Sequence, residues 1–246
     1  MVIEYCEGSN LHEYLYDVDR ITEKETFRII QGITQGLVHC HNHGVYHFDL
    51  KTDNILIGKN EEVKIVDFGA SIMSSVPTQK LMEIVGTEQF FPPELQLWDQ
   101  DSKILLGAVD VWGLGCIMFE IIFDDEAFSD WQKKAKAIQW KEDTKLPAPH
   151  GDYVVSSEVL DLIAQCLRVD PYKRLELKTI YSHSWFTKFL PPGESLMGDK
   201  FSQVKVDGPV LPLEDVSNRI IGSFSKLPCF FKQHAITEED DDVTYV

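Results

Sequence analysis

Apolar residues recur at helical spacing between residues 22 and 44, and this pattern predicts one long amphipathic helix. Its apolar face consists of Phe27, Ile30, Ile33, Leu37 and Cys40. The run Thr22-Glu23-Lys24-Glu25 in front of them has the pattern of a capping box, in which the outer two side chains bond to each other's backbone N–H groups. His43-Gly44 ends the pattern, so we expect the helix to lead directly into the segment that follows.

Shorter patterns flank this helix. Residues 1–8 begin extended and apolar and break at Gly8, before a short helical stretch near Leu11 to Tyr16. Residues 55–57 and 63–66 are β-like runs joined by a turn-rich link, which predicts a small hairpin. Helical patterns return at 108–122 and 157–168. Residues 67–94 have no clean period and are long for a connecting loop, which favours a functional segment.

A domain boundary is predicted near Leu190, where Pro191-Pro192-Gly193 interrupts the helical patterns. Beyond it, residues 191–246 have no sustained period apart from 216–224, and they contain the acidic run 238–242. We therefore expect a domain at 1–190 and a partly disordered extension at 191–246. The terminal Thr244-Tyr245-Val246 resembles a ligand for domains that capture a chain's carboxylate by strand addition, and a frayed end is the alternative.

The overall charge excludes some classes of partner. The 246 residues carry 23 basic and 40 acidic side chains, a formal charge of −17. Such a chain repels nucleic acid and anionic membranes and favours basic partners. A content of 43% apolar residues is enough to build a sizeable core.

Cysteine usage and the apolar runs favour an intracellular protein in the cytoplasm, with the nucleus as the alternative. The five cysteines are widely spaced and form no CxxC pair, which fits a reducing compartment. Glu4 and Glu7 interrupt what would be the apolar stretch of a signal peptide. The longest apolar run, 108–122, contains Asp110 and Glu120 and is shorter than the roughly 18 residues of a membrane span. We expect it to be a buried helix and expect no membrane span.

An octapeptide directly after the long helix carries the strongest chemical signal. It reads His47-Phe48-Asp49-Leu50-Lys51-Thr52-Asp53-Asn54, and Asp67-Phe68-Gly69 begins thirteen residues after its asparagine. The spacing of Asp49, Lys51, Asn54 and Asp67 matches the template of a phosphoryl-transfer site. Four such fixed positions agree by chance about once in 10^5 starting points, so the signal is specific.

Each of these four side chains suits a part of phosphoryl transfer. The reaction needs an oriented nucleophile and neutralised oxygens more than it needs covalent help from the protein. Asp49 can accept the proton of a substrate hydroxyl, and Lys51 can hold a phosphoryl oxygen. Asn54 and Asp67 offer hard oxygen ligands to Mg²⁺ ions that bridge the phosphates of ATP.

With these motifs, residues 1 to about 190 resemble the large C-terminal lobe of a eukaryotic protein kinase. Three further stretches follow in the matching order: Gly86-Thr87 with Pro92-Pro93-Glu94, residues 110–115, and residues 170–174. The resemblance implies an α+β, protein-kinase-like fold that is mainly α-helical, with a small β-hairpin at the active-site cleft. The lysine two residues after Asp49 resembles Ser/Thr kinases rather than Tyr kinases.

The resemblance also implies contacts between residues that are distant in sequence. Glu94 and Arg174 would form a buried ion pair that holds the substrate platform to the lobe. Thr87 would hydrogen-bond Asp49. Asp110 would accept backbone N–H bonds from the catalytic loop, and His47 would be a buried packing and backbone-bonding residue next to Phe68.

For the nucleotide, the resemblance implies a hinge at residues 3–6. The backbone carbonyl of Glu4 and the amide of Cys6 would meet the adenine of ATP, Ile3 would be at the gatekeeper position, and Leu56 would lie beneath the ring. Lys51, Asn54 and Asp67 would complete the ATP and Mg²⁺ site, of which Asn54 and Asp67 hold the metal.

The sequence departs from the family pattern before the hinge. The 246 residues have no Gly-rich loop, strand lysine or helix glutamate ahead of Ile3, so half of the nucleotide site is missing. We expect the small N-terminal lobe to be absent, through a truncated gene model, a fragment of a longer kinase or a half-domain that needs a partner. The hypothesis is that this polypeptide alone has little or no activity.

A second departure concerns regulation. Phe48 stands where many kinases have an arginine that receives an activation-segment phosphate, and Ile72 is apolar where a second basic partner often lies. A phosphate on Ser74, Ser75 or Thr78 would find no ready cationic pocket. We expect that switching does not rely on phosphorylation there. Pro92 in place of the family's alanine is a mild third change.

Several residues have an ordinary and a functional interpretation. His39 and His43 share a helical face and could bind a metal, but a helix end leading into the catalytic loop is the favoured interpretation. Asp53 and Glu120 are predicted to be surface acids, with contact to basic residues of a substrate as the alternative. Asn10, at a similar position, is uncharged and weakens that alternative.

The sequence therefore favours an ATP- and Mg²⁺-dependent enzyme that phosphorylates Ser or Thr of proteins when a small lobe is supplied, and the acidic charge favours basic substrates. The alternative is a non-catalytic kinase-like scaffold or truncated pseudokinase that binds the partners of a kinase. A structural protein with accidental motifs is a remote third possibility.

Overall fold

The computed structural model describes residues 5–18, 20–123, 146 and 154–190. Its helices are α1 (Leu11–Asp17), α2 (Glu23–Asn42), α3 (Pro93–Gln96), α4 (Leu106–Phe123), α5 (Ser157–Cys166) and α6 (Ser184–Phe189). Its strands are β1 (Gly8–Asn10), β2 (Val45–Tyr46), β3 (Ile55–Gly58), β4 (Val63–Ile65), β5 (Ile72–Met73), β6 (Thr78–Lys80) and β7 (Lys103–Leu105). Short 3₁₀ helices cover Thr52–Asn54, Glu88–Phe90 and Leu177–Ser182. The predicted boundary at 191–193, the stretch 216–224 and the acidic run lie outside the described residues.

Helix α4 lies at the centre of the fold because it is apolar around its whole circumference. Every residue of α4 except Gly107 is buried, and α2 and α5 pack against it. Within the described part of the chain, it alone is long and apolar enough to cross a membrane by composition, and 89% of that stretch is buried inside the fold. The predicted buried helix at 108–122 is thus present, with ends at Leu106 and Phe123.

Helix α2 has the bounds that its sequence pattern predicts. The backbone N–H of Glu25 donates to Thr22 Oγ1 over 3.2 Å, and the backbone N–H of Thr22 donates to the Glu25 carboxylate over 2.7 Å. The predicted capping box is therefore confirmed. The apolar face is buried as expected, and Gly44 follows the helix with φ of 70°, a backbone conformation that favours glycine.

A three-stranded antiparallel sheet has the strand order β1-β3-β4. The hairpin β3–β4 is the predicted one, with Ile55 opposite Ile65 and Ile57 opposite Val63. The prediction that Gly8 breaks the chain is wrong, because Gly8 begins β1 and pairs with Gly58. A Cβ at Gly8 would lie 2.0 Å from the carbonyl oxygen of Ile57, so glycine permits this close backbone approach.

The segment 67–94 contains strands too short to leave a periodic signal. Strand β5 pairs with β2, and β6 pairs with β7, each antiparallel. Between and after these strands the chain is irregular apart from the 3₁₀ helix at Glu88–Phe90 and the start of α3. Two separate pairings thus attach this segment to the rest of the lobe.

Glu120 is not the surface acid that the sequence predicts. Its relative exposure is 7%, because α4 has no solvent-facing side. A buried position on the central helix also removes Glu120 from contact with a substrate. Asp53, the other acid of that prediction, is exposed.

Two glycines of α4 give a matched test of how tightly this helix packs. A Cβ at Gly113 would lie 2.8 Å from Leu50 Cβ and 2.9 Å from the Leu50 carbonyl oxygen, whereas a Cβ at Gly107 would meet its nearest atom, in His41, at 3.5 Å. Gly113→Ala is expected to lower the free energy of unfolding by about 1–3 kcal/mol, since the catalytic-loop backbone must move. Gly107→Ala is expected to raise it by about 0.4–1 kcal/mol. Urea unfolding of both variants checks this, and equal effects would contradict the tight contact.

Candidate active site

The loop between β2 and β3 carries the octapeptide, and Asp110 of α4 fixes its start. The backbone N–H groups of His47 and Phe48 donate to the two Asp110 carboxylate oxygens, each over 2.8 Å. Asp110 is fully buried, and burial raises its pKa, but the hydrogen bond and charge of His41, the charge of His47 and the Phe48 amide bring the pKa below its ordinary value. The contacts expected of Asp110 are therefore present.

His41 is a residue of the site that the sequence analysis missed. Its Nε2 lies 2.7 Å from Asp110 Oδ2 and so joins the end of α2 to the support of the catalytic loop. His39 and His43 face each other instead, with ring centroids 4.3 Å apart, and His43 Nδ1 lies 2.8 Å from the His39 carbonyl oxygen. No local sequence pattern indicates this contact of His41, because it depends on where α4 places Asp110.

Asp49 is held by polar contacts on both carboxylate oxygens. The backbone N–H of Thr87 donates to Oδ1 over 2.7 Å, and the Lys51 ammonium lies 3.3 Å from Oδ2. Burial raises the pKa of Asp49, but the hydrogen bonds from Thr87 and the charge of Lys51 outweigh it and bring the pKa below its ordinary value. Asp49 is therefore an ionised carboxylate that keeps 13% of its side chain exposed.

Lys51 and Asn54 complete the arrangement around Asp49. Lys51 Nζ donates to Thr87 Oγ1 over 2.5 Å. Thr87 is therefore connected to Asp49 in two ways: directly through its N–H, as predicted, and indirectly through Lys51. The side-chain amide of Asn54 donates to the Asp49 backbone oxygen over 2.7 Å and to Oδ2 over 3.2 Å. Both hydrogen bonds come from the side-chain nitrogen of Asn54. The side-chain oxygen of Asn54 therefore points away from Asp49.

Asp67 follows β4 in a left-handed backbone conformation, with φ of 60°. Such a conformation is uncommon for a residue with a side chain and is typical of functional sites. Asp67 is exposed and accepts one hydrogen bond, from the Gly69 N–H over 3.2 Å. The next residue, Phe68, is buried with its ring 4.6 Å from that of His47, whose Nε2 lies 3.0 Å from the Val66 oxygen. The buried packing role expected of His47 is therefore present.

The donor set is compatible with Mg²⁺ held together with a polyphosphate. Asn54 and Asp67 are near in the fold, because Val66 donates its N–H to the Asn54 carbonyl over 2.9 Å. Mg²⁺ commonly takes only one or two protein oxygens and completes its shell with phosphates and water. Within residues 5–18, 20–123, 146 and 154–190, no three or more His, Cys, Asp or Glu side chains form a metal cage of their own.

Glu94 and Arg174 form the expected ion pair between α3 and the segment after α5. Two parallel hydrogen bonds of 2.6 and 2.9 Å join the Arg174 guanidinium to the Glu94 carboxylate. The Arg174 side chain is 0% exposed, and the Glu94 side chain is 12% exposed. Arg174 also donates to the backbone oxygens of Arg168 and Ala108. The charge is thus buried with full hydrogen bonding, which a stable buried pair requires.

The predicted hinge is only partly within the described residues, since Ile3 and Glu4 lie outside them. Cys6 is half-buried, and its thiol lies 3.9 Å from a Glu62 carboxylate oxygen. Leu56 of β3 is half-buried and opposite Asn10 of β1. Asn10 itself caps α1 by accepting from the Glu13 N–H over 2.8 Å, so it has a structural use.

Known proteins resemble this chain over most of its length. A family model of the protein kinase domain matches residues 1–186. The chain is 29% identical over 190 residues to Aurora kinase C of Mus musculus, covering 75% of this chain and 63% of the relative. It is 32% identical over 193 residues to an Aurora kinase of Dictyostelium discoideum, covering 78% and 47%. It is 33% identical over 201 residues to serine/threonine protein kinase OSK3 of Oryza sativa subsp. indica, covering 78% and 36%.

Because the match extends over three quarters of its residues, this chain belongs to the protein kinase family. The predicted kinase-like fold of mixed α and β content is thereby confirmed. The chain spans from about a third to two thirds of the length of the curated relatives it matches.

Proposed function

We propose that this chain carries the catalytic centre of a serine/threonine protein kinase, which transfers the γ-phosphate of ATP to a Ser or Thr hydroxyl of a protein. The observation that carries the proposal is the ionised Asp49 carboxylate, held by the Thr87 N–H at 2.7 Å and accompanied by the Lys51 ammonium at 3.3 Å. The printed names of the relatives, Aurora kinases and a serine/threonine protein kinase, support the same class.

The roles follow from the chemistry of each side chain. Asp49 orients the substrate hydroxyl and accepts its proton as the oxygen attacks phosphorus. Lys51 holds a phosphoryl oxygen by its positive charge, and Thr87 keeps both Lys51 and Asp49 in place. When bound, Mg²⁺ neutralises charge on the phosphate oxygens of ATP. Asn54 and Asp67 would hold that ion through their side-chain oxygens.

Adenine binding is proposed at the hinge. The backbone carbonyl of Glu4 and the amide of Cys6 are the proposed partners of the base, with Ile3 and Leu56 as apolar neighbours. Protein kinase domains use ATP with Mg²⁺, and they hold its α- and β-phosphates with a Gly-rich loop and a strand lysine. The chain covers only part of the length of the curated relatives it matches, and we propose that this polypeptide by itself has little activity.

The test is phosphate transfer from labelled ATP to a protein mixture, followed by phosphoamino-acid analysis. The full-length protein that contains this chain is expected to label Ser and Thr but not Tyr, and to require Mg²⁺. The 246-residue polypeptide is expected to give a small fraction of that labelling. Labelling confined to Tyr, or absent from the full-length protein, would contradict the proposal.

The second candidate is a non-catalytic scaffold that binds partners of a kinase through the large-lobe surface. Protein labelling that stays unchanged when Asp67 is replaced by Asn would favour this candidate, because an enzymatic role requires that carboxylate.

The acidic charge and the four described free thiols support an intracellular protein with protein substrates. Exposed Asp53 belongs to the octapeptide and lies in the 3₁₀ helix that α1 packs against. If basic substrates contact it, Asp53→Asn is expected to raise KM for a basic peptide by about 1.5–5-fold, as for an exposed ion pair. Steady-state kinetics with a neutral peptide of the same length give the control. Equal changes for both peptides would argue against a charge contact.

A further inference from the structure

A cavity of about 480 Å³ lies between the end of α2, the start of α4 and residues 171–178. We name it the α2–α4 cavity. Its volume is within the range of sites that hold small molecules in proteins. The described residues of its wall include none of the proposed catalytic or metal-binding side chains. Most of the wall is apolar, through Val38, Pro77, Leu105, Val111, Leu175 and Leu177.

Two aromatic side chains of the wall, His41 and Tyr46, also carry polar atoms. Their ring centroids lie 4.9 Å apart, and Tyr172 adds a third ring to the wall. Aromatic rings pack favourably against other rings, so this wall suits a flat aromatic ligand. The ionised Asp110 carboxylate can only accept, so His41 Nε2 carries the hydrogen of their 2.7 Å contact. In the neutral imidazole, Nδ1 is then a hydrogen-bond acceptor.

His41 Nδ1 and the Tyr46 hydroxyl are available to a ligand. Neither atom has a hydrogen-bond partner among the residues that the structure describes, and neither belongs to the fully buried polar atoms without a partner. Both therefore keep access to solvent. A Cβ at Gly107, another residue of the wall, would lie 3.5 Å from His41 Nδ1, which places this nitrogen beside the cavity. Burial and the charge of Asp110 raise the pKa of Tyr46, so its hydroxyl is uncharged.

The charged side chains of the wall already have partners of opposite charge. Arg174 forms its bidentate pair with Glu94, and Lys178 Nζ lies 2.6 Å from a Glu176 carboxylate oxygen. A charged ligand in the cavity would lose hydration without gaining a counter-ion of its own. The cavity therefore favours an uncharged ligand.

The same wall connects the cavity to the start of the catalytic loop. His41 contacts Asp110, and Asp110 accepts from the backbone N–H groups of His47 and Phe48. A donor bound to His41 Nδ1 would hold the imidazole in the orientation that this network uses. Binding is thus expected to stabilise the backbone at residues 47 and 48.

We propose that the α2–α4 cavity is a binding site for an uncharged aromatic molecule that carries an N–H or O–H donor. The aromatic body packs against the apolar wall, and the donor bonds to His41 Nδ1, with the Tyr46 hydroxyl as a second polar partner. Binding here does not depend on the proposed kinase activity. A full-length protein without phosphate transfer would refute that function and leave the binding measurements to decide this site.

The test is a titration of the full-length protein with indole, followed by NMR of the ligand. A non-hydrolysable ATP analogue and Mg²⁺ are present at saturation, so that indole cannot enter the nucleotide site. Indole is expected to bind with a Kd of about 1 mM or tighter. 1-Methylindole, which lacks the donor, is expected to bind about 2–10-fold more weakly, the contribution of one hydrogen bond. Indole-3-acetate and tryptamine keep the donor and add a charge, and both are expected to bind more weakly than indole.

Two variants at Gly107 locate the bound indole. A Cβ there would meet only side-chain atoms, at 3.5 Å or more, so a longer side chain can enter the cavity without moving the backbone. Gly107→Leu is expected to weaken indole binding about tenfold or more, whereas Gly107→Ala is expected to stay within about threefold of wild type. Amide exchange at residues 47–48 is expected to slow about 2–10-fold when indole binds to the wild-type protein. If Gly107→Leu does not fold, Val38→Phe fills the cavity from α2 instead.

Several outcomes would overturn the proposal. Indole binding that the filling variant leaves unchanged would place the ligand elsewhere. Tighter binding of 1-methylindole or of a charged analogue would contradict the chemistry assigned to the wall, and unchanged exchange at residues 47–48 would contradict the contact with His41. If the wild-type protein binds no indole and Gly107→Leu speeds amide exchange in residues 191–246, a segment of the chain itself fills the cavity.

Discussion

Replacing Asp49 by asparagine is expected to lower kcat of the full-length protein about 10²–10⁴-fold, the range that a positioned general base contributes. Asparagine keeps the shape of the side chain and can still accept from the Thr87 N–H, but it cannot take up the proton of the substrate hydroxyl. It also removes the charge that faces Lys51 at 3.3 Å. The measurement is the initial rate of phosphate transfer to a Ser-containing peptide at saturating ATP and peptide.

The control is Asp161→Asn, on α5, whose side chain is 60% exposed and contacts His183 rather than any residue of the site. Its kcat is expected to stay within twofold of wild type. Thermal unfolding should show that Asp49→Asn is folded, so that lost activity is not lost structure. A kcat for Asp49→Asn within tenfold of wild type would contradict the assignment of Asp49 as the base.

Replacing Arg174 by alanine is expected to lower the free energy of unfolding by about 3–5 kcal/mol, as when one partner of a buried pair is removed. The change leaves the Glu94 carboxylate, 12% exposed, without its bidentate partner. It also removes donors to the backbone oxygens of Arg168 and Ala108 and a cation–π contact at 5.1 Å from the Trp112 ring. The measurement is urea unfolding of the full-length protein, monitored by fluorescence and by amide exchange. Amide exchange gives the free energy of unfolding for this lobe.

Lys173→Ala tests the neighbouring position, where the side chain is 64% exposed and lies 3.7 Å from Asp170. An exposed pair of this kind contributes about 0–1 kcal/mol, so a small change is expected. If Arg174→Ala and Lys173→Ala destabilise the protein equally, the buried pair does not hold α3 to the lobe.

Features encoded locally could be predicted from the sequence, because a helix face or a cap depends on residues a few positions apart. Helix α2 is the clearest case, with its capping box at Thr22 and its buried face both as expected. The hairpin β3–β4 was predictable for the same reason, since two β-like runs flank a short turn-rich link. The contact between Thr87 and Asp49 followed from the resemblance to a family rather than from any local pattern, whereas the hydrogen bonds from Asn54 to Asp49 were not predicted.

Features that depend on distant neighbours were missed. Glu120 is charged and was predicted to be exposed, but its burial results from the position of α4 between α2 and α5. Gly8 has the sequence signature of a chain break, whereas its purpose is the close approach to Ile57 across the sheet. His41 supports the loop only because α4 brings Asp110 to within 2.7 Å of it. No spacing within the sequence reports such a meeting of two elements.

The measurement that tests the central claim most directly is a structure of the full-length protein with Mg²⁺ and a non-hydrolysable ATP analogue. The account predicts a metal ion at about 2.0–2.1 Å from oxygens of Asp67 and Asn54, as Mg²⁺ geometry requires. It predicts the terminal phosphate next to Lys51, with the Asp49 carboxylate free to face a substrate hydroxyl. A metal and terminal phosphate bound elsewhere, with Asp49 and Asp67 directed away from them, would contradict the account.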